Sequence, residues 1–257
     1  MKPFRSAVLA ATLSILAQPV AVADTAGART DYSISFIGLP VASASFVTRL
    51  DGKAFHIAGS LKTSVIADII EKTRGTVEAT GSLSRDRLLA NRFALAYTSG
   101  RKSYRTEMTM RNGNVISAVN VPERKVRPAN WVPVTDAHKR AVLDPLSSLV
   151  IPVGEPVCPR KLPIFDGASR YDLVLQAKGE RPYSTRGFSG TVTVCSVRMV
   201  PHAGFRKGNK QVDYLRNLKG IEIWFARSPA GDFYAPVYAK VPTKVGQVIV
   251  AATRFGG

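Results

Sequence analysis

Ser147 and Ser148 are the first residues to test for chemistry, because Asp144 precedes them closely and His138 lies a short way upstream. Acyl transfer through serine needs a nucleophile, a base and a group that orients the base. The residue types are present, but DPLSSL is not the GxSxG elbow that exposes a nucleophile on a strand-to-helix turn. Asp144, followed by Pro145, reads more simply as the cap of a helical turn. Asp172 and Glu222 form a second candidate set, the two carboxylates that glycoside hydrolysis uses when a fold holds them at a fixed separation. Abundant arginine offers each of them an ion-pair partner instead. His56, His138 and His202 are far apart in sequence and no HExxH spacing occurs, so no metal site is expected. No catalytic constellation emerges, and no cofactor is implied.

The residues with more to say are cysteines, cations and aromatics. Cys158 and Cys195 are the two cysteines of the chain. In an oxidising compartment an isolated pair forms one structural disulfide, and closing a loop of this length stabilises the fold by about 4 kcal/mol. Arg124, Lys125 and Arg127 stand beside Trp131 in a proline-rich stretch, and Arg206, Lys207 and Lys210 occupy a connection with glycine and asparagine. Basic loops with an aromatic anchor suit anionic lipid or an anionic envelope polymer. Trp224 alternates with Ile223 and Phe225, facing a core or a ligand, and Tyr234, Pro236 and Tyr238 share a parity that would make a concave aromatic strip. Pro236 itself calls for an edge, a bulge or a bend.

The first 23 residues say where these groups would work. Lys2 and Arg5 precede an apolar run through Val8, Leu9, Leu13, Ile15 and Leu16, and Ala21-Val22-Ala23 offers small residues at cleavage spacing. That is the pattern of a secretory leader, with a mature chain from Asp24 exported to the periplasm. The leader's apolar run is too short to span a bilayer, and no later stretch approaches the roughly 20 apolar residues a transmembrane helix needs. The formal charge of +18 falls by two, for Lys2 and Arg5, on removing residues 1–23, which contain no acid. An exported protein rarely meets nucleic acid, so this charge points to anionic lipid, a cell-wall polymer or an envelope protein as partner.

The elements that would position these groups are mostly strands. Tyr32, Ile34, Phe36 and then Ala42, Ala44, Phe46 and Leu50 alternate around a break at Gly38-Leu39-Pro40. Asp51-Gly52, Asn112-Gly113, Asp166-Gly167 and Gly231-Asp232 mark turns. Residues 61–72 predict a short amphipathic helix or a bent strand, and 135–150 predict a short helix followed by a second turn of helix at Leu146. The parity change around Cys195 predicts a bulge. The fold class is mainly β: a large antiparallel sheet wrapped as an open barrel or β-spiral with one or two short helices, ahead of an antiparallel sandwich. One domain over 24–257 is expected, with 122–133 as a surface loop rather than a linker between lobes.

The segments DYSISFIGLPVASASF, VLDPLSSLV, FDGASRYDLVL, GTVTVCSVRMVPHAGF and IEIWFARSPAGDFYAPVYAKVPTKVGQVIVAATRF occur in an order that resembles a bacterial envelope family, domain of unknown function 3108. The resemblance runs from about Asp31 to Phe255 and rests on Gly38, Asp144, Pro145, Ser147, Leu149, Asp166, Gly167, Ile223, Trp224 and Pro236. More distantly the chain is similar to alphaproteobacterial envelope-integrity proteins with a disulfide-bonded β-spiral. This resemblance implies a periplasmic role in envelope maintenance and carries over no catalytic residue. Three readings follow: a non-enzymatic protein that binds lipid or extended peptide on a concave β surface, an enzyme acting on envelope glycan or peptide, and a structural partner-binding subunit.

Overall fold

The computed structural model describes residues 27–84, 87–123 and 128–257. The expected leader, 1–23, lies outside them, as do Arg124, Lys125 and Arg127. Strands β1 (Ala28–Phe36), β2 (Leu39–Asp51), β3 (Ala54–Thr63), β4 (Thr73–Leu83), β5 (Leu88–Ser99), β6 (Lys102–Arg111) and β7 (Asn114–Val121) form an antiparallel meander. After the two-residue strands β8 (Trp131–Val132) and β9 (Ile151–Pro152) come β10 (Arg160–Phe165), β11 (Arg170–Thr185) and β12 (Phe188–Ala203). The chain ends with β13 (Phe205–Arg206), β14 (Ile221–Arg227), β15 (Phe233–Thr243) and β16 (Gly246–Gly256). The main path of the sheet is β10-β11-β12-β14-β15-β16-β1-β2-β3-β4-β5-β6-β7, so β1 and β16 pair in its middle.

Turn chemistry sets the hairpins where the sequence asked for them. Asn112 and Gly113 take φ of 49° and 74°, the left-handed pair that a two-residue hairpin demands. The sheet curls until its edges, β7 and β10, approach each other, but no ladder joins them. The gap is spanned by a short segment: Val142 N–H donates to Gly113 C=O, Leu143 N–H to Pro163 C=O, and Leu143 C=O accepts from Phe165 N–H. Nearby, Asn120 Nδ2 donates to Gly167 C=O at 2.9 Å. This is an open barrel, as expected from the sequence.

Inside the curl one apolar cluster joins the two halves, with Phe55, Ile57, Phe93 and Met108 against Phe165, Val192, Phe233, Val237 and Phe255. The long β11–β12 hairpin bends over it, and its tip reaches β16, where Phe255 N–H donates to Arg186 C=O. A second cluster, with Leu162, Ile164, Leu175, Cys195 and Phe225, lies on the other face under residues 143–158. Adjacent residues Phe225 and Ala226 belong to different clusters, so β14 is buried on both faces.

The helical expectation needs correction in place rather than in number. Among the described residues the two α-helices are α1 (Val65–Asp68), a single turn within the predicted 61–72, and α2 (Lys210–Asn217). Residues 135–150 form no α-helix; they hold two 3-10 turns, Asp136–Lys139 and Ser147–Leu149. Between them Val142 and Leu143 are drawn out to bridge the sheet edges, which a continuous helix would forbid. Asn209 caps α2, its Oδ1 accepting from Gln211 and Val212 N–H.

Candidate functional site

The residues singled out for acyl transfer are structural. Asp144 is fully buried, and its Oδ1 accepts from the N–H groups of Leu146 and Ser147 at 2.9 Å each. Its other oxygen accepts from the Ser147 hydroxyl. Burial pushes the Asp144 carboxyl up in pKa, against the pull of these donors. Ser147 is itself buried, and His138 spends Nδ1 on Thr135. This is a cap.

The carboxylates are also held apart. Asp172 pairs with Arg170 at 2.6 Å and His202 at 2.9 Å; burial opposes its charge, but the hydrogen bonds from these two side chains bring its pKa below the ordinary value. Glu222 is held below the ordinary value chiefly by Lys178 at 2.6 Å. Their partners across β12 are Val200 and Ser196. Four residues of strand separate those positions, about 13 Å. Together with the β12 strand between them, that exceeds the spacing glycoside hydrolysis requires. Lys178 reaches Glu222 because β11 carries an extra residue between Ala177 and Gly179, facing Cys195 and Val194. The expected irregularity near Cys195 is thus a bulge on its neighbour.

Cys158 and Cys195 form the disulfide, with Cα atoms 6.2 Å apart. Cys195 is fully buried on β12, so the bond fastens the 143–158 segment over the second cluster. Trp131 meets the second basic segment: β8 pairs with β13, setting Arg206 opposite Trp131, and Lys207 exchanges hydrogen bonds with Asn130. Lys210 opens α2 beside them.

The aromatic strip does not form. β15 carries an extra residue at Val237, opposite the Trp224/Phe225 step, so parity changes beside Pro236 as proline foretold. Tyr234 packs against the second cluster, whereas Tyr238 lies on Trp224 with ring centroids 4.4 Å apart. Trp224 also meets Tyr183 edge-on, lies under Arg181 and donates from Nε1 to Glu222. It is a packing centre. Two tyrosines donate to carbonyls at the bulge and on the neighbouring β16. Tyr32 donates to Pro236 C=O, and Tyr183 to Val237 and Ala252 C=O.

None of the aromatic or basic candidates among the described residues lines the concavity on the β1–β7 half of the sheet. That is a cavity of about 990 Å³ crossing β1 to β7 toward the end of the sheet that carries α1. Residues of two neighbouring cross-strand rows line it, their side chains on opposite faces of the sheet. One runs Asp31, Ser45, Ser60, Thr76, Ala96, Arg105, Val121, and the other Tyr32, Ala44, Leu61, Gly75, Tyr97, Tyr104. Tyr97 and Tyr104 stack with centroids 4.7 Å apart. Gly75 makes room for them, since a Cβ there would sit 2.9 Å from Tyr97 Cβ. Among the lining cations, Arg29 is committed to Asp31 at 3.0 Å and Arg74 to Asp68 at 2.7 Å. Lys62 makes no ion pair among the described residues, and Arg105 holds Glu107 only at 3.5 Å. Tyr97 and Tyr104 were readable as a pair, because they lie symmetrically about the Gly100-Arg101 turn. Among the described residues no cluster of three His, Cys, Asp or Glu suits a metal, and no helix is long and apolar enough to cross a membrane.

A family model described as a protein of unknown function, DUF3108, matches residues 31–253. The chain belongs to this family. The DUF3108 fold has a solved counterpart in a crystal structure from Brucella abortus, described as a β-barrel-like protein of domain of unknown function DUF1849. It is 7% identical, superposes with a TM-score of 0.51, and the match covers 90% of this chain and 97% of the other. At that identity the likeness is one of fold. No curated protein matches the chain.

Proposed function

We propose that this DUF3108 protein is a non-enzymatic, periplasmic component of the cell envelope that holds a negatively charged amphiphile, such as a lipid, in the cavity across β1–β7. The observation that carries the reading is the cavity wall. Tyr97, Tyr104 and Leu61, on one face of the sheet, offer apolar surface for a chain, and the neighbouring residues that also line the cavity include serines, threonines, Lys62 and Arg105. A volume near 990 Å³ is at the upper end of small-molecule sites. The leader pattern, the charge of +18 and the disulfide support the compartment and the sign of the partner. The capping role of Asp144 and Ser147 and the separation of Asp172 from Glu222 weigh against a hydrolase.

The test is native mass spectrometry of the exported protein, followed by analysis of extracted lipid. An anionic amphiphile is expected on the parent, and at least a tenfold lower occupancy on Leu61→Asp with Arg105→Glu. Recovery of the parent without any bound amphiphile, or equal occupancy on the double variant, would sink the reading.

A further inference from the structure

All turns that join β15 to β16, β1 to β2, β3 to β4 and β5 to β6 fall at one end of the sheet, because alternate connections of a meander share an end. At that end the structure exposes aliphatic side chains: Ile37 (57%), Val245 (73%), Ile69 (84%) and Ile70 (90%), with Leu39, Val65 and Ile66 beside them. The tips are neighbours. A Cβ on Gly246 would lie 2.6 Å from Ile37 Cγ1, and the cap of α1, Ser64, donates to Pro40 C=O at 2.9 Å. From β15 to β4 the row spans five strand spacings, about 24 Å.

These side chains are held outward rather than left loose. Arg74 binds both oxygens of Asp68 at 3.0 and 2.7 Å, Thr63 donates to the same carboxylate, and Ser64 accepts from Ala67 N–H. Polar anchors thus fix α1 with its isoleucines in solvent. The same turns carry exposed Lys72, Arg101, Lys102 and Lys244, against Glu71 as the one acid besides Asp68. Lys244 lies over Tyr214 of α2, which brings that basic helix to the same end.

We infer that this end is a docking surface for an anionic lipid bilayer, with the aliphatic tips entering the interface and the lysines and arginines on the headgroups. Charge decides the occupant. A second copy would set the cations of these turns against their own counterparts, whereas an anionic surface neutralises them. A row of exposed tips on separate turns fits a deformable interface. The inference does not depend on any ligand in the cavity.

The experiment is flotation of the leader-free protein with vesicles of phosphatidylcholine alone or with phosphatidylglycerol added. Binding is expected on the anionic vesicles only, weakening as salt rises. Ile66→Ser, Ile69→Ser and Ile70→Ser together should weaken it at least tenfold, and Lys72→Gln or Lys244→Gln about fivefold each. All five positions are exposed, and circular dichroism and the urea midpoint would report that the variants fold. The inference is overturned if the parent ignores anionic vesicles, if the triple variant binds as well as the parent, or if the parent is a dimer in solution that the triple variant dissolves. The Leu61→Asp, Arg105→Glu protein should still float with the vesicles, so failure of the cavity reading and failure of this one are separable.

Discussion

Replacing Tyr32 by phenylalanine removes one hydroxyl and leaves the ring, so it isolates the bond that closes the β15 bulge. That hydroxyl donates to Pro236 C=O at 2.5 Å, and its loss leaves a carbonyl without its partner, at a cost of about 1.5 kcal/mol near pH 8. The same substitution has a pH signature. Burial, reinforced by the neighbouring Tyr183, raises the Tyr32 phenol well above its ordinary value of 10. In the unfolded chain the phenol ionises near pH 10, while in the fold it stays neutral. The folded state therefore binds the extra proton, and this group's contribution is complete below pH 10 and declines as pH rises toward the folded value. The decline is about 0.4 kcal/mol by pH 10 and about 1.4 by pH 11. Phenylalanine has no proton to lose, so the gap between parent and Tyr32→Phe should shrink from about 1.5 kcal/mol at pH 8 to near zero at pH 11. Urea unfolding of both proteins by far-ultraviolet circular dichroism at pH 8, 9, 10 and 11 measures that gap, and the titration of lysines cancels in the difference. A gap that stays constant across the series would refute the argument.

Two further outcomes test the supports of the fold. Reducing the Cys158–Cys195 bond should lower unfolding free energy by about 4 kcal/mol, read as a shift in urea midpoint without a change of secondary structure. Asp144→Ala leaves two N–H groups and the Ser147 hydroxyl without their acceptor in a buried turn, a loss of about 3 kcal/mol and roughly 6–12 °C in Tm by calorimetry. Asp144→Asn keeps an oxygen for both N–H groups and should lose less than half as much, whereas a catalytic role would make the two variants equally inert in an activity assay and leave Tm unmoved.

How much was legible follows from whether a feature is local. The turns at Asp51-Gly52, Asn112-Gly113 and Asp166-Gly167 were readable because a left-handed backbone narrows the choice of residue on the spot. The bend at Pro236 was readable for the same reason. Its consequence was not: one extra residue, Val237, separates the faces of Tyr234 and Tyr238, and whether a bulge inserts a residue depends on the strand opposite. Residues 135–150 misled because Thr135, Asp136, Asp144 and Pro145 offer helix caps and starts, whereas Val142 and Leu143 between them are used to bridge two strand edges far apart in the chain. Asn209 followed by Val212 and Leu215 did carry a cap and a helical period, and α2 begins there. The cavity rows lay beyond reach, since they require the registers of seven strands together.

Those registers explain why one end of the sheet is closed and the other is not. Along one face of β3, Phe55 and Ile57 are buried but Leu61 is substantially exposed; on β4 the same face passes from Ala79 to Gly75, on β5 from Phe93 to Tyr97, and on β6 from Met108 to Tyr104. Toward one end bulky apolar pairs interlock across the curl; toward the other, small or amphipathic residues leave a wall around a cavity. The exposed isoleucines of α1 lie at the open end, where no core remains for them to join. Stability alone would favour polar residues at those tips, as it does on the other hairpin turns, Asp51-Gly52 and Asn112-Gly113, at the closed end. Aliphatic side chains there, fixed outward by Asp68, Arg74 and Ser64, are a property of the surface and not of the fold. The opening that would admit an amphiphile and the surface that would meet a bilayer therefore share one end of the molecule.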